Sequence, residues 1–128
     1  ESAVDINLAK QLNVVMTQLG VKAQDIVMNV GSAAVGYGFE YVVSTMDRIK
    51  GAALSQNDNM LQMPIITTVA DESWSVKEAM PEWGPLEDRG ISMEVQTAAA
   101  VLASGSDAVI LKHPQSVAAI SKMIKELM

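Results

Sequence analysis

Three short apolar runs constrain this chain most: Asp25 to Val30, Met63 to Val69 and Asp107 to Leu111, none of which alternates strictly between polar and apolar residues. A strand that is apolar along its length is buried on both faces, as in parallel sheets whose connections are helices. The intervening segments have helical periodicity. From Asp5, which can cap the start, to Gly20, which supplies the stop, Leu8, Leu12, Val15, Met16 and Leu19 share one face. Phe39 to Leu54 places Tyr41, Val42, Met46, Ile49 and Ala53 on a stripe. A further helix is expected over Glu87 to Ala103, ending at Ser104-Gly105, and the last over Pro114 to Leu127, with Pro114 tolerated in its first turn. Pro64 is acceptable only at the start of its strand. In the long connection from Ala70 to Arg89, Ser73 to Met80 can form a short helix broken by Pro81.

The order α-β-α-β-α-β-α predicts an α/β fold of parallel strands with helical crossovers, residues 1–128 forming a single domain. Three strands are too few to close a barrel of eight, so the chain is expected to be the C-terminal part of a larger (βα)-type protein. Open strand edges further predict that it self-associates or depends on a partner.

Composition narrows the function classes. No apolar run approaches the ~20 residues that cross a bilayer and no signal pattern is present, which predicts a cytoplasmic protein with no membrane partner. The absence of cysteine excludes disulfides, a thiol nucleophile and thiolate ligation of zinc or an iron–sulfur cluster by this chain. The formal charge is −6, and residues 71–94 hold seven acidic side chains against Lys77 and Arg89. With no basic face for a phosphate backbone, nucleic acid is not an expected partner. The acidic stretch is either a docking surface for a basic protein or, more simply, a solvated loop.

The strand-to-helix corner at residues 25–41 carries Gly31, Gly36 and Gly38 within eight residues, a composition suited to close approach of a backbone or a flat ligand. Gly36-Tyr-Gly38 begins like a dinucleotide fingerprint, but Tyr41 stands where glycine or alanine is required. Gly31 and Gly36 have the separation of a phosphate loop, yet Tyr37 replaces its lysine. The single histidine, His113, follows the third strand, where an acid/base role and a hydrogen-bonded structural role are both open. One imidazole makes no metal site alone, and His113 lies outside any D-x-H-x-x-G pattern, which in many corrinoid proteins carries the cobalt ligand. All five aromatic residues, Tyr37, Phe39, Tyr41, Trp74 and Trp83, fall in the glycine corner and the long connection, as contact surface or as helix anchors. The nine methionines fit core packing.

Several segments, taken together and in order, resemble one family: Asp5-Ile-Asn-Leu-Ala-Lys-Gln-Leu-Asn13, Gly36-Tyr-Gly-Phe-Glu-Tyr41 with Ser44 to Ile49, Met60-Leu-Gln-Met-Pro-Ile65, Trp74-Ser-Val-Lys-Glu-Ala79, Trp83-Gly84, Arg89-Gly-Ile91, Glu94 with Thr97-Ala98, and His113-Pro114. The family is the delta (small) subunit of the corrinoid iron–sulfur protein of the acetyl-CoA decarbonylase/synthase (CO dehydrogenase/acetyl-CoA synthase) complex.

The resemblance implies a TIM (β/α)8 barrel, of which this chain would supply the C-terminal part. It implies a non-catalytic subunit in the reductive acetyl-CoA pathway. It implies as partner a large (gamma) subunit carrying a [4Fe–4S] cluster and a corrinoid domain, with the corrinoid (cobalamin) at the interface and no iron–sulfur cluster on this chain. The pair would pass a methyl group from a methyl-tetrahydropterin methyltransferase to acetyl-CoA synthase, and this chain would form one wall of the corrinoid pocket. At the strand ends, Asn29, Gly31, Gly36, Tyr37, Gly38, Thr68 and His113 are the expected corrinoid-facing residues. Trp74 and Trp83 are the expected partner anchors, with Glu72, Glu78 and Glu82 steering association. The alternatives are a methyltransferase-like barrel that binds the pterin itself, and an assembly module without cofactor.

Overall fold

Pro64 and the backbone on either side of Met28 decide the architecture. The computed structural model describes residues 1–31, 33–75 and 86–128. Six helices are assigned among them: α1 (Ile6–Gln18), α2 (Ala34–Tyr37), α3 (Phe39–Ser55), α4 (Ala70–Ser75), α5 (Leu86–Ser104) and α6 (Pro114–Leu127). The strands are β1 (Ile66–Thr68) and β2 (Ala108–Ile110), and 3-10 turns occupy Ala23–Asp25 and Asn59–Leu61. The two strands pair in parallel, Ile66 with Ala108 and Thr68 with Ile110. The described residues therefore form a mostly helical fold with a two-stranded open sheet. This corrects the expected α/β architecture with three strands of a TIM barrel.

The missing strand has a local cause. Met28 makes a single parallel bridge with Ile65: its N–H donates to Pro64 O at 2.8 Å and its carbonyl accepts from Ile66 N at 2.8 Å. The preceding rung would need an N–H from Pro64, which proline lacks, and Ile26 N turns instead to Ala23 O. On the other side the carbonyl of Val30, which the next rung would use, accepts from Val4 N, while Asn29 O accepts from Ser2 N. An N-terminal hook thus takes the hydrogen bonds that a longer ladder would require.

The core lies between α3 and the sheet. Val42, Met46 and Ile49 recur at helical spacing and are fully buried together with Ile65, Val69, Ala98 and Val101. Burying each such side chain stabilises the fold by about 1.5–3 kcal/mol. α1 begins at Asp5, whose carboxylate accepts from Asn7 N and Leu8 N, relieving unpaired donors of the first turn. Buried Asn13 ties it to the segment ahead of β1 by donating to Met60 O at 2.8 Å.

Two aspartates fasten neighbouring segments, Asp58 tying α1 to the turn after α3 and Asp107 tying the start of β2 to Ile65 and α3. Asp58 receives Lys10 Nζ at 2.7 Å, and this bond holds its carboxyl below the ordinary value of 3.8. Asp107 is pushed upward by desolvation, but the Ile65 N–H and Lys50 Nζ, each at 2.9 Å from Oδ2, outweigh it and leave the carboxyl lowered. A depressed carboxyl contributes stability that is complete above its unfolded value and vanishes as pH falls through the folded one. Asp107→Asn should therefore be less stable than the parent at neutral pH, with the gap closing below about pH 3.8. Urea midpoints of both proteins across pH 2.5–7 measure it, and a gap independent of pH would contradict the assignment.

Candidate functional site

α4 follows β1 and α6 follows β2, so both helices start at the carboxyl end of the parallel pair. The start of α5 joins them there through Glu87, whose Oε1 lies 2.9 Å from His113 Nε2. Acidic residues in the first turns, Asp71 and Glu72 in α4 and Glu87 and Asp88 in α5, complement the positive ends of these helices. Part of the acidic excess in 71–94 thus has a structural use.

His113 is the centre of this end. Its Nδ1 accepts from Gln115 N at 3.1 Å and so caps α6, which leaves the proton on Nε2 facing Glu87. The imidazole stacks on Trp74 with centroids 6.0 Å apart and planes 14° from parallel, within the range of offset aromatic pairs. Lys112 Nζ lies 5.9 Å from the Trp74 ring centre, a cation–π distance. Trp74 itself is half-buried, and its Nε1 is buried without a hydrogen-bond partner among the described residues.

α5 organises the group from below. Its buried positions Gly90, Glu94, Ala98 and Val101 form one helical stripe. A Cβ at Gly90 would come within 2.2–2.5 Å of three atoms of the Trp74 ring, so the indole edge rests where only glycine leaves room. One turn on, Glu94 is fully buried, and its two carboxylate oxygens accept from Lys112 N at 2.7 Å and His113 N at 3.1 Å. Glu87, Gly90, Glu94 and Lys112 were not among the site residues expected from sequence. A glycine and a carboxylate interrupting an otherwise apolar stripe were the available signal.

The expected residues fall into two groups. His113 and Trp74 come together as described, and Thr68 ends β1 beside Ile110, with its hydroxyl buried and unpartnered among the described residues. Glu72 lies in α4, half-buried. Asn29 and Gly31 form the second group, at the N-terminal hook, and Gly38 lies further on, after α2. Asn29 Oδ1 accepts from Gly31 N at 3.1 Å. Gly31 has φ +137°, and a Cβ there would meet Val4 N at 3.0 Å, so it admits the hook. Gly38 has φ −147°, ordinary for any residue, and separates α2 from α3. Gly36 and Tyr37 lie in α2, which packs against α4 and so connects the two groups. Trp83, Glu78 and Glu82 lie outside the described residues.

A model of the family described as CdhD, CO dehydrogenase/acetyl-CoA synthase delta subunit, matches residues 1–125. The chain belongs to this delta subunit family. Among curated relatives, it is 35% identical over 133 residues to the acetyl-CoA decarbonylase/synthase complex subunit delta 2 of Methanosarcina acetivorans, covering 97% of this chain and 30% of that protein. The corresponding delta subunit of Methanopyrus kandleri is 39% identical over 125 residues, covering 95% of this chain and 31% of the relative. That of Archaeoglobus fulgidus is 32% identical over 133 residues, covering 97% and 29%. This delta-family chain thus spans about 30% of the length of the curated relatives it matches.

The residues described do not fit cobalt or cluster ligation. The chain has no cysteine, no group of three His, Cys, Asp or Glu among the described residues could hold a metal ion, and both ring nitrogens of His113 are already engaged. Nor is any helix among the described residues long and apolar enough to cross a membrane.

Substitutions at Gly90, Gly31 and Gly38 test this geometry. Gly90→Ala should destabilise the chain despite about 1 kcal/mol of added helix propensity, because overpacking against Trp74 costs about 1–3 kcal/mol. The loss should disappear in a Trp74→Ala background, and urea midpoints of the four proteins of that cycle decide it. Gly31→Ala should cost about 1–3 kcal/mol from its backbone conformation, and Gly38→Ala less, since its contact at 2.9 Å is the exposed ring of Tyr41, which can turn away. Equal losses at the two glycines would contradict the assigned role of Gly31.

Proposed function

We propose that this chain is a non-catalytic part of a delta subunit that docks a corrinoid-bearing partner and forms one wall of the corrinoid pocket. The observation that carries this reading is the family match across residues 1–125. The relatives are named as subunits of an acetyl-CoA decarbonylase/synthase complex, and the same assembly is proposed for this chain, with the large gamma subunit as its direct partner. Methyltransferase and acetyl-CoA synthase would then be the donor and acceptor sides of the methyl carrier. A corrinoid supplies the methyl-carrying cobalt when bound, and the partner would have to ligate it, since the residues described here do not.

The chain's own contribution is surface. Trp74, His113 and Lys112 present a rigid aromatic pair and a cation at the carboxyl end of the sheet, where open parallel sheets place ligands. Asn29, Gly31, Gly36, Tyr37, Gly38 and Thr68 are proposed as the flanking corrinoid-facing residues, and Trp83, Glu72, Glu78 and Glu82 as further partner contacts. Rigid aromatics suit such a role because little side-chain entropy is lost on contact.

Titration of the purified chain into a corrinoid-loaded gamma subunit, followed by calorimetry and by the corrinoid visible spectrum, tests the proposal. Saturable association with a spectral change is expected, weakened about tenfold or more by Trp74→Ala, an effect of the size seen at interface hot spots. No association, or binding of a tetrahydropterin by the chain alone, would contradict it.

A further inference from the structure

Two of the three backbone N–H groups between β2 and Pro114 go to one buried side chain. Ile110 ends β2 and Pro114 starts α6, so Leu111, Lys112 and His113 form the whole connection. Glu94 accepts from the last two, one with each carboxylate oxygen, while fully buried. A pair of consecutive backbone donors just ahead of a helix is a natural anion cradle, and here the anion is supplied internally from α5. Burying a carboxylate is costly unless it is well bonded. The position that carries it is one turn from Gly90, on which the Trp74 edge rests.

We propose that Glu94 is a positioning residue: through the backbone of Lys112 and His113 it sets the imidazole against Trp74 and places the Lys112 ammonium beside the indole. The inference deepens the docking reading above and, as far as partner affinity is concerned, rests on it. The physical reason is angular. In one setting of its backbone His113 stacks on Trp74, caps α6 through Nδ1 and reaches Glu87 through Nε2 at the same time, so a turn of that backbone disturbs all three. Glu94 grips that backbone at two adjacent points, from a helix anchored by buried Ala98 and Val101. Support of this kind holds a contact surface preorganised, with side-chain settings fixed before a partner arrives.

The test is Glu94→Gln, which keeps the shape but sets an amide NH2 against one of the two backbone N–H donors. In the isolated chain, the His113 ring protons of the parent should show an upfield ring-current shift from Trp74 and an Nε2–H tautomer by 15N NMR. In Glu94→Gln the shift should be lost while far-UV circular dichroism stays that of the parent. Affinity for the corrinoid-loaded gamma subunit should fall about 10–100-fold, the usual effect of removing an outer supporting bond. Retention of the ring-current shift and of full affinity, with only a lowered unfolding midpoint, would overturn the proposal and leave Glu94 a purely structural residue. Should the variant fail to fold, amide exchange in the parent decides: Lys112 and His113 amides as protected as the α5 core support the clamp, and exchange at the rate of open loops overturns it. Loss of the stack with unchanged partner affinity would count against the docking surface, since the ring-current measurement requires no partner.

Discussion

The carboxylate of Glu94 on the backbone of Lys112 and His113 is the interaction on which the carboxyl end of this molecule depends. It joins α5 to the β2–α6 connection at the point where the only histidine must serve three partners at once. Hydrogen bonds to a charged acceptor contribute about 1.5–3 kcal/mol each, and a buried carboxylate stripped of its donors costs more than that. Glu94 therefore belongs wholly to the folded arrangement or works against it. The same stripe provides, at Gly90, the gap into which Trp74 fits. Buried carboxylate, glycine gap, indole and imidazole form a chain of mutual constraint reaching from the helical core to the surface.

A second constraint acts on the other side of the sheet. Pro64 and the N-terminal hook together limit the segment at Met28 to one bridge. Ala3 and Val4 hold φ values of 49° and 55° there, and the backbone of a β-branched residue in this region is strained. Gly31 yields the space the hook needs, and Thr45 Oγ1 donates to Val4 O. The corner singled out by its glycines is thus where one part of the chain closes over another, with positive φ at Gly31 as well as at Ala3 and Val4.

How far the sequence was legible follows from these particulars. The buried faces were read only in part: Leu12, Val15 and Leu19 of the face expected to pack α1 are exposed, with Ala9 and Asn13 buried instead, and Tyr41 of the expected α3 stripe is exposed. Helix positions were readable from apolar spacing, with Val42, Met46, Ile49 and Ala53 on the buried face of α3 and Pro114 starting α6. Strand extent was not. A run such as Ile26-Val-Met-Asn-Val30 states that it is buried but not which donors it will face, and the lost rungs depend on a proline and a hook distant in sequence. At the site, His113 and Trp74 stood out by residue type. Glu94 was hidden among the acidic residues of 71–94, because a formal count does not separate a buried carboxylate from those at helix starts. Gly90 showed only as a glycine in an apolar stripe, and its use appears when Trp74 arrives from α4.

The arrangement is consistent with the proposed docking role. Its indole rests in the gap at Gly90 and against the imidazole, and both ring nitrogens of its histidine are engaged internally. In the proposed role the α5 stripe sets this surface before any partner binds. The most direct measurement is the nuclear Overhauser spectrum of the free chain at neutral pH. Cross-peaks from the Trp74 indole protons to both the His113 ring and the Gly90 α-protons are expected. A Trp74 ring that shows neither contact in the free chain would contradict it.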